Sequence, residues 1–151
     1  MNRTGRKTCL PLALLLLLVC PASLLSQPVR AQVLADVKIF EQREQIDALI
    51  SFNFPIRYIR HFPAATGDEL QIQFEPMALN ADDPQALYHR EAIHAMQGNP
   101  AEISEVVYEG ASVTGFRVTV YFSQPQVYSV AQGEDYRSIL LKVSRSIREN
   151  K

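Results

Sequence analysis

Cysteine is missing from residues 32–151; the chain's only two, Cys9 and Cys20, stand near its beginning. That absence removes disulfides, thiol nucleophiles and thiolate metal sites from everything past position 31. Long apolar runs are equally scarce. One run, residues 10–19, is too short to anchor stably in a bilayer about 30 Å thick, and no second run approaches that length. The six glycines are isolated, so there is no phosphate-cradling loop, dinucleotide-binding turn or nucleophile elbow. No basic stripe exists either, and nucleic acid is excluded as a partner on that ground.

The beginning of the chain is organised differently from the rest. Arg3, Arg6 and Lys7 form a positive segment, the apolar run follows, and a small-residue region ends at Val29-Arg30-Ala31. This order predicts a cleavable secretory signal over residues 1–31, and hence an exported protein, periplasmic in a bacterium with two membranes. Contact with the membrane is then confined to the leader. Cys20 follows the apolar run, but Val19 stands where lipidation of that cysteine requires a small residue. Removing the leader takes away four basic side chains and no acidic one. It leaves 11 Lys and Arg against 16 Asp and Glu, a net charge of −5. The remaining 120 residues suffice for one domain that buries about two thirds of its unfolded surface.

Within that domain the dominant signal is alternation of apolar with polar residues, rich in β-branched and aromatic types. Strands are expected over residues 33–40, 46–54, 56–62, 69–74, 103–109, 115–122 (ending near Pro125) and 138–143. In the second of these Ile46, Ala48, Ile50, Phe52 and Phe54 share one face. Residues 84–96 fit a short helix stopped by Gly98-Asn99-Pro100, and a long irregular connection fits them almost equally.

The pattern Phe52-x-x-Pro55-x-x-Tyr58 recurs as Phe122-x-x-Pro125-x-x-Tyr128, at an offset of 70 residues. Ala48 and Ile50 match Val118 and Val120 at the same offset. Leu70, Ile72 and Phe74 match Ile139, Leu141 and Val143 after a one-residue deletion. Each copy reads as a strand, a proline-kinked crossing, a turn and another strand. The tyrosine that follows the proline can bury its ring while its hydroxyl finds a polar partner. The expected fold is therefore all-β, or mostly β with one short helix. Two similar units would close over one core as a small β-sandwich or partly open barrel.

Over residues 46–58, 69–74, 103–109, 116–128 and 139–143 this rhythm resembles the AMIN domain. That is a small β-sandwich of exported bacterial proteins, including cell-wall amidases and secretins. The segment 70–76 lacks the aspartate that the family usually carries there. The resemblance implies a non-catalytic module that binds peptidoglycan or an envelope protein complex.

No arrangement of residues calls for catalysis, and no cofactor is implied. The spacing of His89-Arg90-Glu91-Ala92-Ile93-His94 is wrong for a zinc helix, whose histidines lie four apart with the glutamate directly after the first. A surface or capping role is expected for these residues, and a metal site is not. Arg57, Tyr58, Arg60 and His61 form the candidate ligand-binding face. The arginines suit planar contacts to carboxylates, and all four suit sugar hydroxyls. The same residues also fit a solvated strand edge that resists edge-to-edge pairing. Binding to the cell envelope is the first functional expectation. A protein–protein adaptor that offers a strand edge is the second. A small hydrolase relying on His61 or His89 is a distant third.

Overall fold

The computed structural model describes residues 32–77, 88–112 and 115–145. Residues 1–31, the expected leader, and residues 84–87 of the expected helix lie outside them. The described residues form eight antiparallel strands and no helix: β1 (Leu34–Glu41), β2 (Gln45–Phe52), β3 (Ile56–Phe62), β4 (Thr66–Pro76), β5 (Arg90–His94), β6 (Ile103–Ser112), β7 (Gly115–Gln132) and β8 (Ser138–Ser144). They make one continuous sheet that does not close into a barrel. Its neighbours run β1-β2-β8-β7-β4-β3, with β6 added to β7 and β5 added to β6.

Two layers arise because β7 is long enough to serve both. Its first half pairs with β4 through Leu70↔Val120 and Ile72↔Val118, and with β6 through Val106↔Val120. Its second half pairs with β8 through Tyr128↔Val143 and Val130↔Leu141. Pro125 therefore does not end the strand, contrary to the sequence expectation. Residues 123–125 have no ladder partner in either layer, so the missing proline N–H removes no sheet hydrogen bond there.

Alternation decides what goes inside. Ile46, Ala48, Ile50 and Phe52 of β2 are all buried, and the first three sit opposite Val143, Leu141 and Ile139 of β8. A slip of one residue would turn this whole set to solvent, so the burial fixes the register. Facing them are Leu70, Ile72 and Phe74 of β4 with Val118 and Val120 of β7. The layers meet at Phe52 and Phe74, whose ring centroids are 4.8 Å apart. Each fully buried branched or aromatic side chain contributes about 1.5–3 kcal/mol by leaving water.

The repeat is visible in the pairing and is longer than the sequence suggested. At an offset of 70, β1 corresponds to β6, β2 to the first half of β7, and β3 to its second half; at 69, β4 corresponds to β8. One layer holds β1, β2, β8 and the second half of β7. The other holds β6, the first half of β7, β4 and β3, with β5 outside the repeat. Both kink-following tyrosines behave as expected. Tyr58 Oη lies 2.6 Å from His61 Nδ1, and the buried Tyr128 donates its hydroxyl to Pro63 O at 3.4 Å.

The expected helix is replaced over residues 90–94 by β5, which pairs with β6 from Arg90↔Glu109 to His94↔Glu105. Alanine, glutamate and arginine favour a helix locally, but β6 offers a free edge, and tertiary pairing overrides a weak propensity.

Candidate functional site

The four candidate residues lie on β3, but a bulge between Tyr58 and Arg60 divides them. Ile59 is the extra residue there. With it inserted, Ile56, Tyr58 and His61 turn to the inner side, while Arg57, Arg60 and Phe62 turn outward.

On the inner side, Tyr58 and His61 are structural partners. Ala64 O can only accept, so His61 Nε2 donates to it at 2.8 Å, and the Tyr58 hydroxyl lies within hydrogen-bond distance of Nδ1, at 2.6 Å. The Tyr58 backbone N–H donates to Gln132 Oε1 at 2.6 Å, and Gln132 Nε2 donates on to Ser138 O at 3.1 Å. These bonds tie β3 to the β7–β8 turn. Burial raises the Tyr58 hydroxyl above the ordinary tyrosine range. Both His61 nitrogens are thus engaged in bracing the β3–β4 turn.

On the outer side the sheet registers build a cross-strand row. Arg60 of β3 lies opposite Gln73 of β4, Gln73 opposite Arg117 of β7, Arg117 opposite Glu109 of β6, and Glu109 opposite Arg90 of β5. Arg60 Nε donates to Gln73 Oε1 at 2.8 Å, and Arg117 forms an ion pair with Glu109. The neighbouring row sets Phe62 opposite Gln71. A half-open depression of about 400 Å³ lies here, lined by Arg60, His61, Phe62, Gln71, Gln73 and Arg117. Two guanidinium groups, two amides and the ring of Phe62, 72% exposed, thus converge on one hollow. Such a set suits carboxylates and hydroxyls beside an apolar platform.

Arg57 stands apart from this hollow in an exposed ion pair with Glu75, of a kind worth about 0–1 kcal/mol. The structure therefore turns the Arg60 side chain to the hollow; His61 borders it while its ring bonds on the inner side, and Arg57 and Tyr58 lie outside it. Gln71, Gln73 and Arg117 were missed in the sequence. Polar residues at every second position of 69–73 mark an outward strand face, but nothing in one sequence says which strand lies beside it.

His89 and Glu91 also form a constellation, of another kind. His89 immediately precedes β5, and its Nε2 donates to Glu91 Oε1 at 2.5 Å. Both carboxylate oxygens of Glu91 accept backbone N–H groups at the start of β1, from Val33 and Leu34, each at 2.7 Å. Glu91 thus staples β5 to β1, two of the edge strands of the open sheet. The adjacent Tyr108 is fully buried, and its hydroxyl is held well above the usual tyrosine range, first by burial and then by the charge of Glu91 and by Tyr88. His94 faces the other way, 3.7 Å from Glu105. Among the described residues no three His, Cys, Asp or Glu side chains are grouped to hold a metal ion.

No protein-family model, curated protein or solved structure matches the chain.

Proposed function

We propose that the protein is an exported, non-enzymatic module that binds the glycan–peptide polymer of the cell wall through the outer face of β3, β4 and β7. The observation that carries this reading is the hollow in which Arg60, Gln73 and Arg117 stand in one row beside Phe62 and Gln71. A wall polymer presents hydroxyls, acetamido groups and carboxylates. Guanidinium and amide side chains recognise these, and an exposed ring covers the apolar face of a sugar. The position of these groups in the middle of a sheet supports the reading, because strands hold a site more rigidly than loops do. The resemblance of residues 46–58, 69–74, 103–109, 116–128 and 139–143 to the AMIN domain is in keeping with the reading.

Co-sedimentation with purified peptidoglycan sacculi tests the proposal, with an acidic protein of similar size as control. Saturable pelleting that persists at moderate salt is expected. Exchange of Arg60 and Arg117 for glutamine should weaken it about tenfold or more, the range expected for losing two charge-assisted contacts. Arg57→Gln should leave it unchanged. Pelleting no greater than the control's would end the wall-binding reading.

A second reading has its own observation. β3 has one sheet neighbour and carries Ile59 and Phe62 exposed along its length. An extended segment of a partner protein could add to that edge, in which case crosslinking in the envelope would capture one defined partner and sacculi would capture nothing.

A further inference from the structure

The β1–β2 turn, the segment before β6, the kink of β7 and the end of β8 line a second, open cleft of about 750 Å³. Gln126 lines it. Only 7% of this residue is exposed, yet its sole side-chain hydrogen bond is a long one, from Nε2 to Gln124 O at 3.3 Å. A buried amide normally satisfies both its oxygen and its nitrogen within the protein. Among the described residues no fully buried side-chain oxygen or nitrogen lacks a partner, so the Gln126 oxygen, which has no bond within the protein, is open to the cleft.

The internal repeat supplies the comparison that gives this meaning. The counterpart of Gln126 in the first copy is Ile56, which is fully buried. An apolar branched side chain therefore fills the post-kink position when packing alone decides. Glutamine in the second copy replaces packing with a directed hydrogen-bonding group.

The other groups on the cleft wall indicate the chemistry. Arg145 is held by Glu41 at 2.8 Å, while the exposed Arg43 has no ion-pair partner among the described residues, although Glu44 beside it also lines the cleft. Glu102, on the opposite wall, has a left-handed backbone, with φ of 54°, and its carbonyl accepts from Ser123 N at 2.8 Å. A non-glycine residue in that conformation is uncommon and is held in place by its surroundings. No aromatic ring is among the residues lining the cleft, in contrast to the hollow beside Phe62.

We infer that this cleft is a second binding site, distinct from the outer-face hollow, for a short peptide ending in a free carboxylate. The carboxamide of Gln126 pairs with a peptide group of the ligand, donor to carbonyl and acceptor to N–H. Arg43 takes the terminal carboxylate. The volume lies within the range of ordinary small-ligand sites, about 300–1,000 Å³.

The test titrates the protein, produced from its full-length sequence, with tri-alanine while following the side-chain amide of Gln126 and the Nε–H of Arg43 by NMR. Tri-alaninamide and a chitin trisaccharide serve as the comparison probes. Tri-alanine should give saturable shifts at both groups, and tri-alaninamide should bind about tenfold more weakly for want of the charge. Gln126→Ile restores the residue of the first copy. It should leave the melting temperature equal or higher and weaken tri-alanine binding about tenfold or more, as expected when a buried hydrogen-bonding pair is lost. Arg43→Gln, an exposed change with no packing consequence, should weaken it similarly. Absence of saturable shifts, equal binding of the amidated peptide, or shifts produced by the trisaccharide instead would each overturn the inference. So would a Gln126→Ile protein that binds tri-alanine as the parent does. None of these results bears on sacculus binding through Arg60 and Arg117, so the two readings fail separately.

Discussion

Replacing Glu91 with alanine should destabilise the fold more than any other single change at a partly exposed position. Its carboxylate accepts the N–H groups of Val33 and Leu34 at 2.7 Å each, and both residues are at least 97% buried. The side chain of Glu91 itself is only 13% exposed. Truncation leaves two buried donors without an acceptor, at about 1–3 kcal/mol for each. Water reaching the vacated space moderates the total, which gives about 3 kcal/mol. For a domain of this size that corresponds to a fall in melting temperature of about 10–20 °C. Glu91→Gln retains one acceptor oxygen and should lose about half as much. Urea denaturation measures the stability change, and amide hydrogen exchange shows where it arises. Protection of Val33 and Leu34 should drop in Glu91→Ala before that of the β2–β8 ladder. A loss under about 0.5 kcal/mol, with both amides still protected, would show that these bonds do not hold β5 to β1 and would refute the reasoning.

Two further perturbations follow from the same geometry. The Tyr108 hydroxyl is raised above its ordinary range in the folded protein, first by burial and then by Glu91, so the folded state keeps a proton that the unfolded state releases near pH 10. Its stabilising contribution is complete below that pH and is lost as the pH rises towards the folded value. Stability should therefore fall above about pH 10, and Tyr108→Phe should make the fall shallower by about 1.4 kcal/mol per pH unit in alkaline urea titrations. At Gly133, an added Cβ would stand 1.9 Å from Ser138 Oγ and 2.9 Å from Ser138 O, in a turn whose Gly133 N–H donates to that same carbonyl at 2.8 Å. Gly133→Ala should destabilise by about 2 kcal/mol or more by steric overlap. Gly98→Ala, with open space around it and a φ of 72°, should lose only about 1 kcal/mol for its left-handed backbone. Equal effects from the two substitutions, measured by thermal melting, would contradict this assignment.

Most of the strands were legible because burial on one face leaves a period of two, as in Ile46, Ala48, Ile50 and Phe52. The repeat was legible because Phe, Pro and Tyr keep their spacing across 70 residues. Three features were not. Pro125 reads as a strand terminator, yet it falls where β7 changes partners, and only the tertiary pairing shows that no ladder bond is needed there. Residues 90–94 carry helix-forming side chains, and their strand exists because β6 offers an edge. The correspondence of β1 to β6 was hidden because edge and interior strands expose different faces: Ala35, Asp36 and Lys38 are exposed where Glu105, Val106 and Tyr108 are half or fully buried. The candidate site was half legible for a related reason. A bulge leaves no mark in the identities of Arg57 to His61, but it sends Arg60 outward and Tyr58 inward. The partners of Arg60 come from β4 and β7 through register alone.

The exchange of β7 between layers has a consequence for what the repeating unit is. Within one copy, β2 sits in one layer while β3 and β4 sit in the other; in the second copy the assignment is reversed. Neither copy completes a layer by itself, since β2 needs β8 and β4 needs the first half of β7. A lone copy would leave both of these edges bare, and a second lone copy would cover them. In its topology the molecule is a swapped dimer of a four-stranded unit, made permanent by carrying both protomers on a single chain.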